Sequence, residues 1–204
     1  MKCPKHGLYA ITQPENKSLP QIIKAVESAL KGGAVMVQYR DKNPIDAFKL
    51  ASELLAVCHA YQAPLIINDS IELAVTVGAD GVHLGKDDGD IAQARQRLGS
   101  HAIIGVSCYN DLDKAIMAAN HGADYVAFGR FFPSGSKPLA SAADIATLQL
   151  AKQQLQVPIV AIGGILPENG GQLVSAGADL VAVIGGIFDQ EPEMAARSYQ
   201  HLFN

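Results

Sequence analysis

The chain is predicted to fold as one α/β domain, a (β/α)8 barrel, on three observations. A short motif recurs as Gly32-Gly33-Ala34, Gly78-Ala79-Asp80, Gly122-Ala123-Asp124 and Gly177-Ala178-Asp179, each followed by a run rich in Val, Ile, Leu, Phe or Tyr. Helical stretches at 70–77, 112–121 and 169–176 close on three of these glycines. Glycine ends helices in this way because it takes the left-handed conformation without a Cβ clash. Counting such units gives eight in 204 residues, with no long linker, low-complexity tract or charge block between them. An open doubly wound sheet is the alternative; eight even units favour closure.

The elements follow in order. Residues 7–11 form a short apolar strand. Ile22, Val26 and Leu30 then recur at four-residue spacing, the stripe of an amphipathic helix over 22–30. The second strand, 35–39, alternates. Val35, Val37 and Tyr39 are expected on the face that packs against helices, Gln38 and Arg40 on the other. A helix over 47–61 leads to a strand at 64–68, and Gly78 ends the next helix before strand 81–84. Helix 91–98, strand 103–107, the helix that Gly122 stops and strand 125–128 continue the alternation. Helix 145–155, strand 159–163, the helix that Gly177 stops and strand 180–184 complete it.

Composition narrows the function. Hydrophobic residues make up 49% and charged residues 18%, which suits a filled core and excludes a disordered or collagen-like chain. Sixteen basic against 20 acidic residues leave a net charge of -4 and a pI near 5.8. No electrostatic footprint for nucleic acid exists, so any phosphate site is local. No apolar run approaches the roughly 20 residues that span a bilayer. The opening Met1-Lys2-Cys3-Pro4-Lys5-His6 lacks the apolar segment of a signal peptide. Cys3, Cys58 and Cys108 are odd in number and lack metal-ligand spacing, so they read as free thiols of a reducing cytoplasm. The expectation is a soluble cytoplasmic protein with one domain over 1–204, its assembly into a homo-oligomer left open.

In such a barrel, function sits on the loops at the C-terminal ends of the strands. Gln38, Arg40 and, if the strand extends, Lys42 share its inward face. Cations there need an anion, either a ligand or an internal carboxylate such as Asp41. Asp69 ends the third strand, and Lys86-Asp87-Asp88 follows the fourth. Asp69 and a later aspartate are placed to share a hard cation such as Mg2+. Equally, Asp69 could cap the helix that begins near Ser70, with Asp87 and Asp88 in a solvated turn. The loop Phe131-Phe132-Pro133-Ser134-Gly135-Ser136-Lys137-Pro138 is either an anion cradle or an ordinary turn. Gly163-Gly164 and Gly185-Gly186 fall in the loops after strands seven and eight, where barrels often bind phosphate. The alternative is that these glycines only relieve crowding at the rim. His83 shares a face with Gly81 and Gly85 and reads as a satisfied, inward-facing core histidine outside the catalytic set. Cys58 reads as helix packing, and nothing near Cys108 activates it. No Ser-His-Asp arrangement or P-loop is legible.

The ordered set of motifs is similar to the thiamine-phosphate synthase family from about Gly7 to Phe188. It comprises Gln38-Tyr39-Arg40-Asp41-Lys42, Ile67-Asn68-Asp69, His83-Leu84-Gly85-Lys86-Asp87-Asp88, Gly105-Val106-Ser107, Ala127-Phe128-Gly129-Arg130-Phe131-Phe132 with Ser136-Lys137-Pro138, and Ala161-Ile162-Gly163-Gly164-Ile165. The resemblance implies a (β/α)8 enzyme joining a hydroxymethylpyrimidine diphosphate to a thiazole phosphate with release of diphosphate. By matching position, Gln38, Tyr39, Arg40, Asp41, Lys42, Asn68, Ser107 and Lys137 would hold the pyrimidine diphosphate. Asp69 and Asp88 would hold Mg2+, and Ser134, Gly135, Ser136, Gly164, Ile184 and Gly185 the thiazole phosphate. Arg40, Lys42, Lys137 and Ser107 would be catalytic, in a dissociative reaction that needs no general base for bond formation.

Three departures from the family pattern stand out. Ser134 and Ser136 replace threonines, Gly185 a residue that is often polar, and Tyr109 a frequent histidine. That last change weighs against a thiazole tautomerase of the same superfamily. The paired aspartates and cations weigh against a non-catalytic binder of thiamine precursors. A sugar-phosphate isomerase would need an inward carboxylate or lysine base, and none is evident.

Overall fold

The computed structural model describes residues 1–15, 17–85, 90–133 and 142–204. Eight parallel strands close in sequence order: β1 Gly7–Ile11, β2 Ala34–Tyr39, β3 Leu65–Asn68, β4 Gly81–Leu84, β5 Ile103–Tyr109, β6 Tyr125–Gly129, β7 Ile159–Ile162 and β8 Leu180–Val183. Helices cover the outside: α1 Leu19–Lys31, α2 Ala47–Ala60, α3 Ile71–Val77, α4 Ile91–Leu98, α5 Leu112–Asn120, α6 Ile145–Gln154 and α7 Pro167–Ser175. Two further helices, α8 Gly185–Phe188 and α9 Pro192–Ser198, and the 3-10 turn Gln200–Phe203 complete the chain. The predicted barrel is therefore present, and these last three elements are additions to the predicted set. No helix among the described residues is long and apolar enough to cross a membrane.

Short polar side chains start most helices. Asp46, Ser70, Asp90, Asp111 and Asp144 each accept a hydrogen bond from a backbone N–H in the first turn of α2 to α6, satisfying donors that have no partner inside the helix. The sheet separates two apolar layers. Val37, Ile67, Val82, Ile104, Val126 and Val181 pack outward against helix residues such as Val26, Leu54 and Leu148. Tyr9, Met36, Ile66, Ile103, Tyr125, Val160 and Leu180 fill the interior.

Val35 departs from the expected alternation. The register of β1 against β2 shifts between Leu8 and Tyr9, so one extra residue is absorbed and the side chains change face. Val35 packs with the interior cluster, close to Gly7, while Val37 and Tyr39 face the helices as expected.

The recurring aspartates close the bottom of the barrel. Asp80, Asp124 and Asp179 stand one residue before β4, β6 and β8. Their carboxylates accept from the backbone N–H of Leu65 (2.9 Å), Ile104 (2.8 Å) and Ile159 (2.9 Å) on the preceding strand. Their own N–H groups donate to the carbonyls of those same residues, at 3.1, 2.7 and 2.8 Å. Each aspartate thus clamps both backbone groups of one residue. A cationic or imidazole group sits behind each: His59 on Asp80, Arg95 on Asp124 and Lys152 on Asp179. The first motif lacks an aspartate; there the Gln200 amide donates to the Gly33 carbonyl instead.

Asp80→Ala leaves the Leu65 N–H without its acceptor at a buried strand start. We expect a loss of about 2 kcal/mol of unfolding free energy in urea denaturation. Asp80→Asn, which keeps an oxygen acceptor, should recover part of it.

Candidate active site

A cavity of about 640 Å3 opens at the C-terminal ends of the strands. Of the residues singled out from sequence, Gln38, Arg40, Lys42, Asn68, Asp69 and Ser107 line it on the side of β2 to β5, and Gly164, Ile184 and Gly185 on the side of β7 and β8. Tyr39 and Asp41 are not brought to it. Tyr39 is 3% exposed among the outer helix contacts. Asp41 accepts from the Asn43 N–H at 2.9 Å and from the Tyr39 hydroxyl at 3.5 Å. Asp88, Ser134, Gly135, Ser136 and Lys137 lie outside the described residues.

Arg40 is held by a residue that the sequence did not advertise. Thr12, 1% exposed, lies just past β1. Its hydroxyl accepts from the Arg40 N–H at 2.9 Å and donates to the Arg40 carbonyl at 3.1 Å, while its own N–H donates to the Gln38 carbonyl at 2.9 Å. This continues the β1–β2 ladder one step beyond the strands, so the rim that carries Arg40 and Lys42 is tied down. Among the described residues neither cation forms an ion pair. Asp41, engaged elsewhere, does not neutralise them.

Asp69 does not cap α3, because Ser70 does so by accepting from the Leu73 N–H at 3.1 Å. Asp69 has φ 65, an uncommon conformation for a residue with a Cβ. Its N–H donates to the His83 carbonyl at 2.8 Å, and its Oδ2 accepts from the Asn68 side chain at 2.6 Å. The carboxylate is thereby held at the mouth beside Arg40 and Lys42.

Across the mouth the wall is backbone. A Cβ on Gly164, whose φ is 65, would overlap the Pro133 carbonyl, and one on Gly163 would meet Arg130 at 2.7 Å. Only glycine lets the loops after β6 and β7 touch. Helix α8 opens at Gly185, and the first amides of a helix have no partner within it and favour anions. A Cβ at Gly185 would overlap the Asp189 carboxylate. The departure at this position thus makes room for a side chain of the chain's own.

The floor is polar. The Gln38 amide nitrogen donates to the Tyr9 hydroxyl at 2.8 Å, and the Tyr9 and Tyr125 hydroxyls lie 2.9 Å apart. Tyr125 meets His83 Nδ1 at 2.9 Å, and His83 Nε2 meets Ser107 Oγ at 2.8 Å. His83 is indeed a bonded, inward-facing histidine, 8% exposed, yet it also lines the cavity. Its inward parity on a barrel strand was the available signal. Tyr9 and Tyr125 read from sequence only as apolar strand residues. Burial pushes both phenols well above their usual pKa, so both stay protonated. The same cause pushes the Cys58 and Cys108 thiols up to about 12, in keeping with the inert reading of both.

Two outcomes follow. Thr12→Val keeps the shape but strips the hydroxyl, and is expected to weaken binding of inorganic diphosphate about tenfold by calorimetry, the equivalent of one hydrogen bond. Cys58 and Cys108 should remain unmodified by iodoacetamide at pH 8 in the folded protein and react only after denaturation, as read by mass spectrometry.

The comparisons agree with this geometry. Residues 8–187 match the family model described as thiamine monophosphate synthase. The thiamine-phosphate synthase of Nitrosococcus oceani is 52% identical over 200 residues, covering 97% of this chain and 92% of that protein. That of Methylobacillus flagellatus is 51% identical over 204 residues, covering 98% and 97%. Among solved structures, thiamine phosphate pyrophosphorylase from Pyrococcus furiosus superposes with a TM-score of 0.87 at 31% identity, covering 97% of this chain and 95% of that one. With the barrel, the cation and carboxylate rim and this full-length similarity together, the chain belongs to the thiamine-phosphate synthase family.

Proposed function

We propose that this chain is a thiamine-phosphate synthase that joins 4-amino-2-methyl-5-hydroxymethylpyrimidine diphosphate to a thiazole phosphate, releasing diphosphate. One observation carries the reading: a single cavity has two differently built anion walls. Arg40 and Lys42, without ion-pair partners among the described residues, stand beside Asp69 on one side. Gly164 and Gly185 bare the backbone on the other. Two walls suit two phosphorylated substrates held face to face, and a binder of one phosphate needs only one.

The chemistry follows from the placement. The diphosphate lies against Arg40 and Lys42; Lys137, outside the described residues, is the third cation that the family resemblance implies. The C–O bond to it breaks, leaving a resonance-stabilised pyrimidine methyl cation. The thiazole nitrogen, positioned by its phosphate on the glycine wall, then attacks that carbon. Fixed cations around the departing diphosphate stabilise the charge as it builds, which is worth most in a site that excludes water. Proximity supplies much of the rest.

Asp69 offers a hard oxygen donor on the wall that also carries Arg40 and Lys42, which suits Mg2+ held by one or two carboxylates together with substrate phosphates and water. Asp69 and Asp88 are the residues proposed to hold it, and its chemistry would be to screen the diphosphate oxygens. The three cysteines, all free, support a reducing cytoplasm as the place of action.

The test is diphosphate release from purified protein given both precursors, with Mg2+ and then with EDTA. Release should need both substrates and the metal. Arg40→Ala and Lys42→Ala should each lower kcat by about 10²–10³, and Asp69→Ala should abolish the Mg2+ dependence along with turnover. Absence of diphosphate, while either precursor still raises the melting temperature, would move the tautomerase or binder reading ahead.

A further inference from the structure

The hydrogen-bond chain from Gln38 through Tyr9, Tyr125 and His83 to Ser107 crosses beneath the cavity and joins two of its walls. Strands β2 and β5 are three places apart in a closed ring of eight, so Gln38 and Ser107 face each other across the barrel. We propose that Tyr9, Tyr125 and His83 act as positioning residues that fix which of these two side chains presents a hydrogen-bond acceptor and which a donor, and so select a 4-aminopyrimidine ring over its 4-oxo counterpart. The inference rests on the synthase reading for the identity of the ring and goes beyond it in assigning the ring's selection to residues underneath.

Each hydroxyl and the neutral imidazole have one hydrogen to give. An amide nitrogen can only donate, so the Tyr9 oxygen accepts from Gln38 at 2.8 Å. The single Tyr9 proton is then left for the Tyr125 oxygen at 2.9 Å. Tyr125 has one proton to give and gives it to His83 Nδ1 at 2.9 Å. An imidazole that accepts at Nδ1 carries its proton on Nε2 and donates it to Ser107 Oγ at 2.8 Å. The Ser107 proton must therefore point away from His83, and Ser107 lines the cavity. At the other end, one Nε2 hydrogen of Gln38 goes to Tyr9, which fixes the amide plane, and the carbonyl oxygen accepts no hydrogen bond among the described residues, so it is left for the cavity that Gln38 lines. The three bonds from Tyr9 to Ser107 reverse only together, and reversal would leave the Tyr9 proton without an acceptor among the described residues at a side chain that is 1% exposed, which selects the direction given.

The phenol shifts support this count, since both buried hydroxyls keep their protons. Packing fixes the rings as well: Tyr9 and Tyr125 meet edge to face at 5.9 Å, and His83 stacks on Tyr125 at 5.6 Å. Tyr125 itself is fully buried and touches no cavity, so its hydroxyl has no direct part in binding. An exocyclic amino group donates to the Gln38 oxygen, and a ring nitrogen accepts from Ser107. A 4-oxo ring places a second acceptor against Gln38, and a polar mismatch of that kind is rejected by about a hundredfold or more.

The experiment measures kcat/KM for the 4-amino and 4-oxo pyrimidine methyl diphosphates, each with thiazole phosphate, in the wild type, Tyr9→Phe and Tyr125→Phe. Met36→Leu, a change of the apolar barrel interior outside the chain, is the control. The wild type and Met36→Leu should favour the amino ring by about a hundredfold or more. Tyr9→Phe frees the Gln38 amide to rotate, and Tyr125→Phe breaks the series at its middle; each should cut that ratio at least about tenfold, at unchanged affinity for inorganic diphosphate. A ratio within about twofold of wild type in both folded variants, with both substrates slowed alike, overturns the proposal. Calorimetry with the two ring alcohols reads the same preference without turnover. A wild type that prefers the amino alcohol but releases no diphosphate counts against the synthase reading alone, and one that binds both alcohols equally overturns the chain's role.

Discussion

Closure of this barrel depends on a backbone accounting problem at the bottom of each strand pair. A parallel strand begins with N–H and C=O groups that have lost their helix and not yet found a neighbour. Asp80, Asp124 and Asp179 solve the problem three times in the same way, each meeting both groups of one residue on the strand before. Because the chain's repeating unit ends on this clamp, the bottom is built from near-identical joints, and the top is left to vary.

What varies at the top is polarity. The interior below the mouth is not an oily plug: Gln38 and His83 are buried there alongside Tyr9 and Tyr125. Burial of such groups is unfavourable unless each has partners, and among the described residues no buried side-chain nitrogen or oxygen lacks one. The hydrogen-bonded floor therefore costs little while giving the cavity directional walls. Above it, Thr12 extends the sheet to hold the cationic rim, and glycines let the loops after β6 and β7 meet on the opposite side.

Much of this could be read from the residues. Glycine stops and apolar runs located all eight strands, because a helix end and a buried strand each leave a local trace. Inward parity correctly placed Gln38 and Arg40, and the strand-end position placed Asp69. Parity failed at Val35, where a bulge too local to mark the sequence turns the side chain inward. At Tyr39 alternation was right and the family resemblance was not: Tyr39 and Asp41 share a motif with Arg40 and Lys42, but neither lines the cavity. Thr12, Tyr9 and Tyr125 escaped notice because a threonine or tyrosine in a strand is ordinarily a packing residue; only the fold shows which hydroxyls meet. Helix α8 was hidden by its two glycines, poor helix formers that tertiary contacts override.

Gly105 sits opposite the Tyr125 ring, and a Cβ there would overlap both the ring and its hydroxyl. The two positions are consequently bound together in descent. A lineage cannot acquire alanine at 105 first, because the tyrosine blocks it, and phenylalanine at 125 still fills the same space. It must first shrink residue 125, which severs the link between Gln38 and His83 before any gain in packing is realised. Change at 105 is therefore barred while Tyr125 stands, and a side chain at 105 is expected only in diverged barrels of this lineage that have already lost the tyrosine.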